Sequence, residues 1–160
     1  MTSLTITLCD PAATTRLGFF LAETLQAGDV IALSGPLGAG KSVLARGIVQ
    51  GLCPDEADIP SPTFTLVQTY EPVDGPPLMH FDLYRLETPE DALDLGIEDA
   101  FVEAASVIEW PERLGPWLPR GALRVTLAPD EDAPDARFVT LEGGARWQAV
   151  LDQAASRFGA

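Results

Sequence analysis

The fold is decided by the stretch Gly35-Pro-Leu-Gly-Ala-Gly-Lys41-Ser42, which fits the phosphate-loop pattern G-x-x-x-x-G-K-[ST] without a gap. Lys41 is the only lysine among the 160 residues, and the other basic residues are all arginines. A compact, rotatable ammonium suits the β- and γ-phosphates of a nucleotide. A genome that favours arginine codons would explain why lysine is rare, but not why it stands at this position. The stretch therefore predicts a site for a nucleoside triphosphate.

The segments on either side of this stretch match what a phosphate loop needs. The apolar run at 30–33 predicts a buried parallel strand, and residues 42–51 have the apolar spacing of a helix. A strand, a glycine-rich loop and a helix N-terminus together aim backbone N–H groups and the positive helix end at an anion. Pro36 removes one amide, but it precedes the part of the loop expected to wrap the phosphates. We expect six consecutive residues to bind the nucleotide: Gly38, Ala39, Gly40, Lys41, Ser42 and Val43.

The composition predicts one compact domain over residues 1–160, because 46% of the residues are hydrophobic and no repeat or linker interrupts the chain. The sequence has no apolar run of 18 residues and no basic region followed by an apolar stretch, which predicts a cytoplasmic protein without membrane contact. Cys9 and Cys53 are far apart in sequence, which favours two small buried hydrophobic residues over a redox pair.

The formal net charge is −14, from 24 acidic and 10 basic residues. Such a surface repels polyanions, so tight and independent binding of nucleic acid is not expected. A nucleotide can still bind, because the dipoles of the loop and Lys41 act locally. The acidity serves either as ordinary solubilising charge or as a docking face for a basic partner, and the sequence does not separate the two.

The pattern of strands and helices predicts an α/β fold of the P-loop NTPase type, with a mixed, mainly parallel sheet flanked by helices. Strands are expected at 5–8, 30–33, 63–70, 78–85, 106–109, 123–127 and 138–141, with 63–70 and 78–85 forming a hairpin. Asp10 and Thr88, each followed by proline, predict helix starts. The first of these helices is expected to end near Gly28, and a last helix is expected at 145–158.

Two acidic residues stand where strands are predicted to end, Asp82 and Glu109. A phosphate-loop enzyme needs such a carboxylate near its magnesium ion, to which Ser42 offers a hydroxyl group. His80 is the only histidine, and it is more readily explained as a structural hydrogen-bonding residue than as a metal ligand. Thr63 is either a residue that senses the γ-phosphate or the ordinary start of a strand.

Two classes of nucleotide-binding protein are disfavoured. Asparagine is absent, so the guanine-reading motif N-K-x-D of GTPases is missing, and ATP is favoured over GTP. Small-molecule kinases usually add an arginine-rich lid, whereas here the arginines Arg113, Arg120, Arg124 and Arg137 are scattered.

Four motifs in order resemble the TsaE (YjeE) family of bacterial ATPases. They are residues 38–42 of the loop, Ser-Pro-Thr-Phe at 61–64, His-x-Asp-Leu-Tyr-Arg at 80–85 and Glu-Trp-Pro at 109–111. A phosphate loop alone is common to many families, whereas its combination with the other motifs is specific. The resemblance extends over about residues 10–118, and the part from 119 onwards matches nothing specific.

The resemblance implies a role in making N6-threonylcarbamoyladenosine beside the anticodon of tRNA. It implies that the chain binds ATP and Mg²⁺, docks on a complex of TsaB and TsaD, contacts tRNA only through these partners, and hydrolyses ATP to support repeated turnover. The residue roles that it implies are phosphate neutralisation by Lys41, magnesium binding by Ser42 and Glu109, a second acid in Asp82, and a switch residue in Thr63. Trp110 resembles the family's functional tryptophan, which closes the site or meets the partner, although packing in the core would also explain it.

The chain departs from the family pattern at two loop positions. Pro36 stands where the family commonly has aspartate, so contacts of that aspartate are missing or replaced. Ser42 replaces threonine and keeps the hydroxyl group. Two other functions stay open: a binding module that ATP occupancy switches without hydrolysis, and a small-molecule phosphotransferase.

Overall fold

A computed structural model of the chain describes residues 1–56, 59 and 66–159. These residues form one seven-stranded sheet in the order β1-β7-β6-β2-β5-β4-β3. The strands are β1 (Thr2–Leu8), β2 (Val30–Ser34), β3 (Val67–Tyr70), β4 (Leu78–Asp82), β5 (Ala105–Glu109), β6 (Leu123–Asp130) and β7 (Ala133–Gly143). The four central strands β6, β2, β5 and β4 are parallel neighbours, while β7 and β3 run against them. Since β1 is antiparallel to β7, five strands share one direction. The predicted fold class is confirmed.

Helices cover both faces of the sheet. The helices α1 (Pro11–Thr24), α2 (Lys41–Leu52) and α4 (Gln148–Phe158) pack on one face through a large apolar cluster. The other face carries α3 (Ile97–Glu103) and the 3₁₀ turns Pro89–Leu95 and Pro111–Trp117, with a smaller cluster beneath them. A third 3₁₀ turn, Ala145–Trp147, leads into α4. None of the helices in the described ranges has the length and apolar character needed to cross a bilayer.

The helix that follows the phosphate loop is held by close contact with α1. A Cβ atom added at Gly18 would lie 2.8 Å from the carbonyl carbon of Gly47, and one at Gly47 would lie 2.8 Å from the oxygen of Thr15. Only glycine allows the two helix backbones to approach this closely. The first turn of α2, and with it the loop, is therefore fixed relative to the core.

Several predicted boundaries are wrong by a few residues. Helix α1 begins after Asp10, whose side chain accepts from the N–H of Ala13 as expected, but it ends at Thr24 rather than near Gly28. It ends early because Leu25 turns to the extended conformation and packs in the core.

The predicted hairpin is confirmed by the antiparallel pairing of β3 with β4. The second strand ends at Asp82 rather than at residue 85, because the carboxylate of Asp82 accepts from the N–H of Tyr84 and turns the chain. The first strand is described only from Val67, so residues 63–65 of the predicted strand lie outside the described residues. Cys53 is buried as expected, but Cys9 is exposed, because it follows the last residue of β1.

Candidate functional site

The phosphate loop connects β2 to α2 and lies at the carboxyl edge of the sheet. Gly35 leaves the strand with φ at 144°, and a Cβ atom there would lie 2.4 Å from the oxygen of Leu127 on β6. Gly40, at φ 100°, is the N-cap of α2, which begins at Lys41. Both positions require glycine. The free N–H groups and the positive end of α2 consequently face the space above the loop.

Lys41 is buried, with 5% of its surface exposed. Its Nζ donates to the carbonyl oxygen of Gly35 and lies 3.4 Å from the ring centroid of Trp110. Burial lowers the pKa of Lys41, and the nearby carboxylates of Glu109, Glu112 and Asp82 partly offset this effect. The ammonium therefore lies where a further counter-charge, such as a phosphate, would favour its protonated form.

Asp82 and Glu109 meet at the sheet edge, as their positions at strand ends predict. Glu109 pairs in register with Leu33 of β2 on one side and with Asp82 of β4 on the other. Both carboxylates are nearly inaccessible, with 5% of Asp82 and 2% of Glu109 exposed. A buried carboxylate is costly unless it has hydrogen-bonding or charged partners. Two buried carboxylates at one sheet edge therefore indicate a functional site more strongly than an acidic residue on the surface does.

Glu109 connects the loop to β4 through two hydrogen bonds. Its Oε1 accepts from the hydroxyl group of Ser42 at 3.1 Å, and its Oε2 lies 2.7 Å from Nε2 of His80. A carboxylate at this distance selects the His80 tautomer that carries its proton on Nε2. His80 is thus a hydrogen-bonding residue that fixes a carboxylate, in line with the structural role expected of it. Its Nδ1 finds no partner among the described residues.

Trp110 covers the site from the side of β5. It has a left-handed backbone conformation, with φ 59° and ψ 51°, which is uncommon for a residue with a side chain. This turn brings its ring over Lys41 and 5.0 Å from the ring of Tyr84, which is 43% exposed. The sequence alternatives for Trp110 are site closure, contact with a partner and core packing. Its ring lies over Lys41 and also packs against the smaller apolar cluster, so its role stays a prediction.

These residues line one cavity of about 330 Å³. The predicted site residues among its walls are Gly38, Gly40, Lys41, Ser42, Val43, Asp82, Glu109 and Trp110. Ala39 does not line it, because its side chain is buried, and it contributes through its main chain. Thr63 lies outside the described residues. A larger cavity of about 870 Å³ lies at the far end of α2 and contains none of the loop.

Arg137 is a site residue that the sequence did not predict, as are Leu37 and Tyr84 in the wall of the same cavity. Arg137 lies on β7, yet its Nε donates to the oxygen of Ala39 at 2.9 Å and its Nη2 to the oxygen of Gly38 at 3.2 Å. It also lines the cavity. No motif signals this contact, because 98 residues separate Arg137 from Ala39 and the pairing depends on where β7 lies in the sheet.

Comparisons with known proteins agree with the resemblance seen in the sequence. Residues 8–138 match the family described as threonylcarbamoyl adenosine biosynthesis protein TsaE. The tRNA threonylcarbamoyladenosine biosynthesis protein TsaE of Streptomyces coelicolor is 40% identical over 137 residues, covering 82% of this chain and 92% of that protein. The protein of the same name from Rickettsia felis is 41% identical over 99 residues, which cover 62% of this chain and 57% of that protein, less than two thirds of its length.

A solved structure has the same fold over nearly the whole chain. YdiB from Bacillus subtilis superimposes with a TM-score of 0.75 at 28% sequence identity. The match covers 98% of this chain and 95% of YdiB.

Proposed function

The chain belongs to the TsaE family, and we propose that it is an ATP-binding and ATP-hydrolysing subunit that supports the N6-threonylcarbamoyladenosine modification of tRNA. One observation carries the nucleotide part of this proposal: Lys41 and Ser42 of the loop meet Asp82 and Glu109 in a single cavity. The modification part rests on the family, whose description names threonylcarbamoyl adenosine biosynthesis.

The loop supplies the groups that bind the phosphates of ATP. The N-terminus of α2 offers backbone N–H groups and the positive end of the helix. Lys41 exchanges its hydrogen bond to Gly35 for contacts with the β- and γ-phosphates. The polyphosphate then adds a counter-charge to those of the nearby carboxylates, which only partly offset the burial of the ammonium group.

The oxygen atoms around Ser42 suit Mg²⁺. In the described part of the chain, no group of three His, Cys, Asp or Glu side chains is able to hold a metal by itself. Mg²⁺ is normally bound through one or two carboxylates together with phosphates and water, so a complete protein cage is not required. The hydroxyl group of Ser42, the carboxylate of Glu109 and, at the same edge, Asp82 form such a set of hard oxygen donors. When bound with ATP, Mg²⁺ would neutralise charge on the β- and γ-phosphates.

Hydrolysis requires that one attacking water molecule be positioned at the γ-phosphate and that bulk water be kept out of the site. We assign Asp82 the role of second acid, which orients the metal or the attacking water, and Thr63 the role of a residue that senses the γ-phosphate. Trp110 and Tyr84 border the cavity on its open side, so their rings are placed to close it when a nucleotide or a partner binds. Phosphoryl transfer to water depends mainly on positioning and charge neutralisation, so a partner that completes the site would raise a weak basal activity.

We propose TsaD and TsaB as the partners, with tRNA held by them rather than by this chain. The net charge of −14 supports this arrangement, since an acidic surface is repelled by the tRNA backbone. The exposed residues Tyr84 and Leu37 line the cavity, which supports docking of a partner beside the proposed nucleotide site.

A Glu109→Gln variant tests whether hydrolysis is required. The substitution keeps the shape of the side chain but removes its charge, so we expect ATP binding to persist while hydrolysis falls by two to three orders of magnitude, roughly what loss of one key electrostatic group costs. Glu103→Gln, an exposed position on α3, is the matched control and should behave as wild type.

The two alternative functions give different outcomes in this experiment. Full support of tRNA modification by Glu109→Gln would replace the hydrolysis proposal with a binding module that ATP occupancy switches. Labelled γ-phosphate that ends on an acceptor other than water would identify a small-molecule phosphotransferase instead.

A further inference from the structure

Within the described part of the chain, Arg137 donates four hydrogen bonds, all to main-chain carbonyl groups. Two of them reach the phosphate loop at Gly38 and Ala39, and the other two run from Nη1 to the oxygens of Pro134 and Ala136, each at 2.7 Å. The second pair anchors the guanidinium group to its own strand. The planar fork is therefore fixed on β7 and grips two consecutive loop residues from there.

The hydrogen bonds from Arg137 to Gly38 and Ala39 determine which way the loop peptides face. A trans peptide directs its C=O and its N–H to opposite sides, and none of the described peptide bonds is cis. With its oxygen held by Arg137, the peptide between Ala39 and Gly40 turns the N–H of Gly40 away from Arg137. Gly38 and Gly40 both have positive φ, at 78° and 100°. Because glycine has no side chain, the rotation of the neighbouring peptides is little restricted at these positions. Within the loop, the N–H of Ala39 donates to the oxygen of Pro36 at 3.1 Å. Arg137 holds the oxygen of that peptide and the oxygen of the next one, so it restricts the rotation of both.

The charge of Arg137 is not neutralised by a nearby acid. Ion pairs among residues 1–56, 59 and 66–159 do not include it, although the chain has 24 acidic side chains. Its guanidinium group lies instead against carbonyl oxygens on the wall of the cavity that also contains Lys41. A cation in this position favours an anion in the cavity as well as a fixed loop.

We propose that Arg137 is a positioning residue of the nucleotide site: its guanidinium fork holds the peptides of Gly38 and Ala39 so that the N–H of Gly40 faces the phosphates. This inference rests on the proposed binding of ATP. It gives a function to a strand of the C-terminal part of the chain, where the sequence motifs end.

The test compares Arg137→Gln and Arg137→Lys with wild type and with Arg124→Gln, which removes an exposed arginine from the neighbouring strand β6. The dissociation constant for ATP with Mg²⁺ is measured by titration calorimetry. Hydrogen exchange of the Ala39 amide, which donates to the oxygen of Pro36 at 3.1 Å, is measured by NMR in the ligand-free proteins. Near-UV circular dichroism reports whether each variant is folded.

We expect Arg137→Gln to weaken ATP binding by roughly tenfold or more, as the loss of charge-assisted hydrogen bonds implies. We also expect it to accelerate exchange of the Ala39 amide, because the oxygen of the same peptide is no longer held. Arg137→Lys should also weaken binding, because an ammonium group lacks the fork that bridges two carbonyl groups. Arg124→Gln should leave both quantities unchanged. A lysine variant with wild-type affinity would overturn the inference, since a point charge would then suffice. A glutamine variant that binds ATP as wild type does would overturn it too.

The experiment separates this inference from the proposed function. If wild-type protein binds ATP and Arg137→Gln binds it equally well, the positioning role fails while ATP binding stands. If wild-type protein does not bind ATP, the proposed function fails, and the exchange rate of the Ala39 amide still tests whether Arg137 holds the loop. Should Arg137→Gln not fold, exchange of the Arg137 Nε–H in wild-type protein decides: slow exchange supports a fixed fork, and exchange at the rate of a free side chain contradicts it.

Discussion

Replacing Lys41 by methionine should strongly weaken ATP binding but hardly change the stability of the protein. The reason is that ATP binding depends on the ammonium group much more than the ligand-free fold does. The methionine side chain keeps an unbranched apolar stem and removes the ammonium group, with both its charge and its N–H donors. In the ligand-free protein, Lys41 donates one hydrogen bond to Gly35 and lies over the ring of Trp110. The free energy cost of burying the charged ammonium opposes these two contacts, and the same burial lowers the pKa of Lys41.

The expected change in stability is small. A charged hydrogen bond contributes roughly 1.5–3 kcal/mol and a cation–π contact about 0.5–2 kcal/mol. The desolvation of the ammonium opposes both, and the sulfur of methionine retains contact with the Trp110 ring. We therefore expect the free energy of unfolding to change by only about 1 kcal/mol in either direction, within the usual range for single substitutions.

The expected change in ATP affinity is large. Removing one partner of a buried, hydrogen-bonded charge pair costs roughly 2–5 kcal/mol, which corresponds to a dissociation constant raised about 30- to 4,000-fold. Titration calorimetry with ATP and Mg²⁺ measures the affinity, and urea unfolding without ligand measures the stability. Arg124→Met, on an exposed position of β6, is the control for removal of a surface cation. A folded Lys41→Met protein with unchanged ATP affinity would refute the assignment of the loop.

Three further substitutions test separate parts of the structure. Gly47→Ala places a Cβ atom 2.8 Å from the oxygen of Thr15, so it should destabilise the protein by about 1–3 kcal/mol in urea unfolding. Gly144→Ala, which has open space around the added atom, should leave the stability unchanged. Equal stabilities of the two variants would contradict the close packing of α1 on α2. Ser42→Ala should remove the enhancement of ATP binding by Mg²⁺ in calorimetry, whereas Ser42→Thr should retain it, because only the hydroxyl oxygen is needed. An alanine variant that still binds ATP more tightly with Mg²⁺ would exclude Ser42 as a ligand. Trp110→Phe should abolish the change in tryptophan fluorescence on ATP addition, since this ring lies over the loop lysine; a persisting change would place the reporting tryptophan elsewhere.

Local patterns in the sequence predicted the part of the site that depends on local geometry. The phosphate loop fixes the spacing of Gly40, Lys41 and Ser42, and the strand before it and the helix after it follow from apolar periodicity. Carboxylates at strand ends were enough to select Asp82 and Glu109, because the ends of parallel strands meet at one sheet edge, where the two residues pair in register.

Contacts that depend on strand order lay beyond sequence reasoning. The hydrogen bond between His80 and Glu109 requires that β4 and β5 be neighbours in one particular register. The contact of Arg137 with the loop requires the hairpin of β6 and β7 to lie beside β2, although 98 residues separate Arg137 from Ala39. The left-handed conformation of Trp110 is a tertiary effect, since the intrinsic preference of a tryptophan is against it. The role of Thr63 remains a prediction.

The central claim is that ATP hydrolysis at the phosphate loop supports repeated threonylcarbamoylation of tRNA. The most direct measurement is multiple-turnover modification of tRNA by purified TsaB and TsaD with a threonylcarbamoyl donor, with this chain present, absent or replaced by Lys41→Met. We predict that turnover beyond one round requires the wild-type chain, consumes ATP, and is lost with Lys41→Met. Equal turnover without the chain, or with the Lys41→Met variant, would contradict the claim.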